Sequence, residues 1–235
     1  MRSSKWHALG NVYLLLERAE LDRPLTPERV REACAGVADG VLEVVEAGAD
    51  ELDVVIWNAD GSIAELSGNG TRIVARWLAS RSGAERVRVR VGPRVVEARM
   101  LPDRRVEQDL GEVEVYERER VAGLEVTPVS VGNPHAVVVG DPDDLPLVGP
   151  LLETHPRFPG RTNVQVARLE RPGEIAARVW ERGVGETQAS GTGAVAVAAA
   201  LGRSPATVRF PGGPLDVRFE GRRAFLTGPA EELDR

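Results

Sequence analysis

Short runs rich in Val, Leu and Ile recur along the chain, bounded by Gly, Pro, Asp and Asn. This pattern predicts strands at Val12–Glu17, Val41–Glu46, Leu52–Trp57, Val87–Val91, Val95–Met100, Val126–Val131, Ala136–Val139, Val164–Leu169, Ile175–Trp180, Thr207–Phe210, Leu215–Phe219 and Ala224–Thr227. In the fourth of these, Arg86, Arg88 and Arg90 alternate with valines, the mark of a strand with one solvated face. Helical segments are fewer. Thr26–Ala38 starts with Thr26 as N-cap and Pro27 in the first helical position. Thr71–Ser80 and Ala194–Leu201 are short and apolar, and Asp143–Glu153 is a fourth candidate. Many strands wrapped around a few buried helices make an α+β architecture.

The pattern also repeats. Val55-Ile56-Trp57-Asn58 is followed, nine residues after Asn58, by Ser67-Gly68-Asn69-Gly70-Thr71 and an apolar helix. Arg178-Val179-Trp180-Glu181 is followed, nine residues after Glu181, by Ser190-Gly191-Thr192-Gly193-Ala194 and another apolar helix. The two copies lie 123 residues apart, each with an acidic residue ahead of its serine (Glu65, Glu186). The expected organisation is two pseudo-symmetric domains, 1–113 and 114–235, joined near Gly111–Val121. Each is a barrel-like sheet around a central helix, with the possibility left open that the last strand packs back on the first domain.

Composition narrows the function. With 235 residues, 42% of them hydrophobic, the chain can bury a good core. A net charge of -6 argues against a nucleic-acid partner. No run approaches a transmembrane helix, and Met1–Leu16 does not read as a signal peptide, so a cytoplasmic protein without a membrane partner is expected. The single cysteine, Cys34, excludes an internal disulfide and reads as a core residue. His7, His135 and His155 are scattered, which gives no metal-ligand spacing. The single lysine, Lys5, sits in a strand-like segment and is a poor candidate for a Schiff base.

Each Ser-Gly-x-Gly stands where a loop becomes a helix. Glycines let a ligand approach the backbone, and the first helical turn offers unpaired N–H groups at a positive dipole end. Two such starts in symmetric halves suit one small anion such as a carboxylate. They also supply two side chains, Ser67 and Ser190, for opposite faces of one carbon. That is the arrangement of a two-base racemase or epimerase, in which the anionic transition state needs electrostatic support.

Seven segments resemble the signatures of the diaminopimelate epimerase family, in its order: His7-Ala8-Leu9-Gly10-Asn11, Asn58-Ala59-Asp60-Gly61-Ser62, Ser67-Gly68-Asn69-Gly70-Thr71-Arg72, Gly132-Asn133-Pro134-His135, Arg161-Thr162-Asn163, Glu181-Arg182-Gly183-Val184-Gly185-Glu186-Thr187 and Ser190-Gly191-Thr192-Gly193. The resemblance implies the epimerase fold and cofactor-independent conversion of LL- to meso-diaminopimelate in lysine and cell-wall precursor synthesis. It implies a diamino dicarboxylic acid as substrate and a homodimer. It assigns catalysis to Ser67 and Ser190, and substrate binding to Asn11, Asn58, Asn133, Asn163, Glu181 and Arg182. Gly68, Asn69, Gly191 and Thr192 would offer backbone N–H groups, and His135 and Glu181 would tune proton affinities.

The chain departs from the family most at its centre. The family uses a pair of cysteines where this chain has serines, and a serine hydroxyl needs an adjacent base to act. Glu65, Glu186 and His135 are the candidates for that base. Val12 follows Asn11 where an acidic residue is common, and Ala38-Asp39-Gly40 lacks the glutamine some members use. Two alternatives therefore stand beside the epimerase: a non-catalytic diamino-acid-binding protein on the same scaffold, and an isomerase of another amino acid.

Overall fold

The computed structural model describes residues 3–233. Met1, Arg2, Asp234 and Arg235, at the outer ends of the two expected domains, lie outside the described residues. The chain divides into two compact units, Met1–Asp109 with Gly228–Arg235, and Leu110–Thr227.

The first unit comprises β1 (Ser4–Ala8), β2 (Asn11–Glu17), α1 (Pro27–Cys34), β3 (Gly40–Ala47), β4 (Glu51–Asn58), α2 (Gly68–Ser82), β5 (Arg86–Val91), β6 (Arg94–Met100) and β7 (Val106–Glu112), within which the division falls. The second holds β8 (Glu114–Val115), β9 (Glu119–Val121), β10 (Leu124–Ser130), β11 (Pro134–Val139), α3 (Leu145–Glu153), β12 (Asn163–Arg171), β13 (Glu174–Glu181), β14 (Gly185–Thr187), α4 (Gly191–Ala200), β15 (Ala206–Phe210), β16 (Gly213–Glu220) and β17 (Arg223–Gly228). After β17 the chain returns to the first unit as β18 (Glu231–Leu233), antiparallel to β1.

Every run read as a strand is one, and every predicted helix forms. Thr26 caps α1, its side chain accepting from the Arg29 N–H, but the helix stops at Cys34 because Gly36 turns left-handed at φ 69°. Cys34 is buried, and Arg86, Arg88 and Arg90 are exposed between buried valines.

Pairing inside each unit follows one rule. In the first, β1–β2 is antiparallel, β2–β3 parallel, β3–β4 antiparallel, β4–β5 parallel, and β5–β6 and β6–β7 antiparallel. In the second, the same order runs through β10–β11, β11–β12, β12–β13, β13–β15, β15–β16 and β16–β17. A helix fills each parallel crossover, α1 and α2 in one unit, α3 and α4 in the other. The fold is thus the expected α+β arrangement of two pseudo-symmetric halves. α2 packs against β1, β2, β3, β4, β5 and β6, and α4 against β10, β11, β12, β13, β15 and β16, so each is a central helix. This is why α4 can be apolar on every side: Gly191 through Ala198 are all buried.

Candidate active site

Ser67 and Ser190 are the N-caps of the two central helices. Both have extended backbones (φ -133° for each), and each Oγ accepts the N–H three residues on, Gly70 at 3.0 Å and Gly193 at 3.2 Å. Both glycine positions are closely packed. A Cβ on Gly70 would stand 2.9 Å from the Leu42 side chain, and one on Gly193 3.0 Å from the Ser190 Cβ.

Around Ser67 the setting is polar and cationic. The Tyr13 hydroxyl lies 3.1 Å from Ser67 Oγ. Arg72, one turn into α2, is fully buried and donates to the Gly68 carbonyl (3.3 Å), the Pro229 carbonyl (3.3 Å) and Asn69 Oδ1. Burial lowers its pKa to about 10, which still leaves it charged at neutral pH. The Gln108 side chain reaches in from β7 to within 2.6 Å of Thr71 Oγ1. Asn11 is buried and follows the two-residue turn Leu9-Gly10, both at positive φ, which closes the β1–β2 hairpin. Asn58 ends β4 half-buried, its amide donating to Ser62 Oγ at 2.9 Å.

Around Ser190 a neutral chain of hydrogen bonds replaces the cation. His135 is buried, accepting from the Gln165 amide at Nδ1 (3.0 Å) and donating from Nε2 to Asn133 Oδ1 (2.9 Å). The Asn133 amide nitrogen continues to Thr192 Oγ1 at 3.3 Å, in the first turn of α4. Burial drives the His135 pKa down to about 4, so the imidazole is neutral at physiological pH. With both ring nitrogens occupied, His135 orients Asn133 and is no base for Ser190. Glu186 is likewise engaged, bound at both oxygens by Arg178 (2.7 and 2.9 Å). Glu65 is exposed.

Asn163, Glu181 and Arg182 come together in the second unit. The Asn163 amide donates to the Pro134 carbonyl and accepts the Arg182 N–H, both at 2.9 Å. It thus ties β11 to the turn after β13. Glu181 and Arg182 are half-buried at that strand end, and the Arg182 guanidinium donates to the Gly160 carbonyl at 3.3 Å.

Sequence reasoning missed two anchors. The Trp57 indole donates to buried Glu43 (2.9 Å), which also binds Arg18 (2.8 Å). The Trp180 indole donates to buried Glu153 (2.7 Å), which receives the Gly183 N–H (2.8 Å) and faces Arg161 (3.5 Å). Each Trp immediately precedes a candidate ligand, Asn58 or Glu181, and pins its strand end. The tryptophans were visible in the repeat. Their partners come from unrelated positions, a strand in one unit and a helix in the other.

A family model described as diaminopimelate epimerase matches residues 3–116 and 127–233. The chain is 40% identical to a diaminopimelate epimerase of Synechococcus elongatus, over 99% of its own length and 96% of the relative's. It is 36% identical to one of Pelotomaculum thermopropionicum, over 99% and 97%. Among solved structures, a predicted epimerase of Pseudomonas aeruginosa superposes with a TM-score of 0.73 at 17% identity, covering 99% of this chain and 97% of that one. A hydroxyproline epimerase of Agrobacterium vitis, with bound trans-4-hydroxy-L-proline, superposes with a TM-score of 0.72 at 15% identity, covering 99% and 90%. These structural likenesses concern the fold.

Proposed function

The chain belongs to the diaminopimelate epimerase family, and on that premise we propose that it interconverts LL- and meso-diaminopimelate by α-proton transfer without a cofactor. The observation that carries this reading is the matched pair of serine-capped, glycine-started central helices in a duplicated fold. The substrate α-carboxylate binds the first-turn N–H groups of Gly68, Asn69, Gly191 and Thr192, where the dipole ends also stabilise the carbanion. Ser67 and Ser190, standing where the family keeps its cysteines, exchange protons with the two faces of the α-carbon. Asn11, Asn58, Asn133, Asn163, Glu181 and Arg182 hold the ammonium and carboxylate groups at the two ends of the substrate. His135, neutral and bonded to Asn133, sets the second half of the site, and Glu181 tunes the proton affinities beside it. The same reading makes the protein a cytoplasmic homodimer of lysine biosynthesis.

One observation favours a second reading, a diamino-acid-binding protein without turnover: both serine hydroxyls already serve as helix caps. Proton NMR of LL-diaminopimelate in deuterated water separates the two. The epimerase reading expects loss of the α-proton signal and growth of the meso isomer. Tight binding with no exchange, in this chain and in a Ser67→Cys/Ser190→Cys variant alike, leaves only the binding protein.

A further inference from the structure

We propose that Tyr13 is the proton relay of the first half-site, passing a proton between its phenolic oxygen and Ser67 Oγ. The inference rests on the epimerase reading and adds to it the group that lets a serine serve there. Tyr13 lies on β2, in register with Gly40 on β3. Gly40 leaves room for the ring: a Cβ there would stand 2.9 Å from Tyr13 Cε1 and 2.4 Å from the Trp57 carbonyl oxygen. The ring crosses the bare glycine and its hydroxyl ends 3.1 Å from Ser67 Oγ. A hydroxyl has one proton and two acceptor positions. The Gly70 N–H occupies one acceptor position. A proton for Tyr13 and a lone pair for the substrate carbon remain, which is what a relay requires.

Chemistry favours the tyrosine over the serine as the titrating group. A free phenol titrates near pH 10, far below an aliphatic hydroxyl. Tyr13 and the buried Arg72 feel each other's charge, and a nearby cation favours the anionic form of a phenol. Tyr13 is half-buried on β2. In the second unit the register position of Tyr13 belongs to His135, paired with Asn163 as Tyr13 is with Gly40. There both ring nitrogens are taken by Asn133 and Gln165.

The step balances. Tyr13 begins as phenolate. The substrate Cα–H bond breaks, its proton goes to Ser67 Oγ, and the Ser67 proton goes to the phenolate oxygen. The electron pair stays on Cα and spreads into the bound carboxylate, so one negative charge moves from Tyr13 to the substrate. Reversal returns the proton, and exchange of the phenol with solvent delivers deuterium.

The test follows α-deuterium exchange into LL- and meso-diaminopimelate by NMR, in the unaltered chain, Tyr13→Phe, Ser67→Cys/Ser190→Cys, and the triple variant. The relay expects Tyr13→Phe to slow exchange about 100-fold or more in the serine protein. With cysteine at 67 and 190 the same change should cost far less, since a thiolate needs no relay. A fluorinated tyrosine at position 13, with its more acidic phenol, should move the rising limb of the pH–rate profile to lower pH, which a packing role would not do. Equal rates for the unaltered chain and Tyr13→Phe, or an unmoved pH limb, overturn the relay. Exchange by the double-cysteine protein with none by the serine protein overturns the relay and leaves the epimerase scaffold standing. Exchange by neither overturns both.

Discussion

The first turns of α2 and α4 have the same cap, the same glycines and the same burial, yet opposite interiors. Position 72 is a buried arginine, and its equivalent 123 residues on, position 195, is a buried valine. One helix start therefore has a cation beneath it, hydrogen-bonded to two carbonyls and an amide. The other rests on an apolar helix beside a neutral imidazole. Duplication preserved the frame that presents N–H groups, while the electrostatics beneath each frame diverged.

Swapping the two interiors breaks the comparison most severely. Val195→Arg puts a charge into a helix with no carbonyl or amide arranged for it, and should cost on the order of 5 kcal/mol. Thermal unfolding followed by circular dichroism would read this as a large fall in melting temperature. The converse, Arg72→Val, strands the acceptors on Gly68, Asn69 and Pro229 and should cost about 3 kcal/mol by the same measurement. A smaller effect lies in pH. His135 has its folded pKa lowered to about 4, so between the free value near 6.5 and 4 the unfolded chain binds a proton that the folded chain does not. Stability should fall as pH drops through that window, by at most about 1.4 kcal/mol per unit, and His135→Gln should flatten the dependence. Smallest are the caps: Ser67→Ala and Ser190→Ala should each cost about 1 kcal/mol. Their near-equality in unfolding measurements would sharpen the point that the frames match and the interiors do not.

The frames were legible because they are periodic. The apolar runs and the two Ser-Gly-x-Gly starts need only local rules, and they located the longer strands other than β7, together with both central helices. What escaped was polarity inside the core. β7 was missed because one of its inward positions is Gln108, which serves Thr71 instead of filling the core. Arg72 ends one of the family-like segments, but nothing local says that it is buried or that its partners include a carbonyl 157 residues away. Tyr13 lies inside the predicted strand Val12–Glu17 with nothing local to single it out; only the fold brings its hydroxyl to Ser67. The family resemblance points to His135, but its hydrogen bond to Asn133 is visible only in the fold.

β18 gives the molecule an order of assembly. The second unit is one unbroken stretch of chain, so every residue it needs has been synthesised before the final strand of the first unit exists. The first unit waits. Until Glu231–Leu233 arrives, β1 lacks its outer neighbour, and until Pro229 arrives the Arg72 guanidinium lacks one of its acceptors. The unit whose strands are made first on the ribosome is thus completed after the second, and its buried cation gains its Pro229 acceptor only once the second unit has been synthesised.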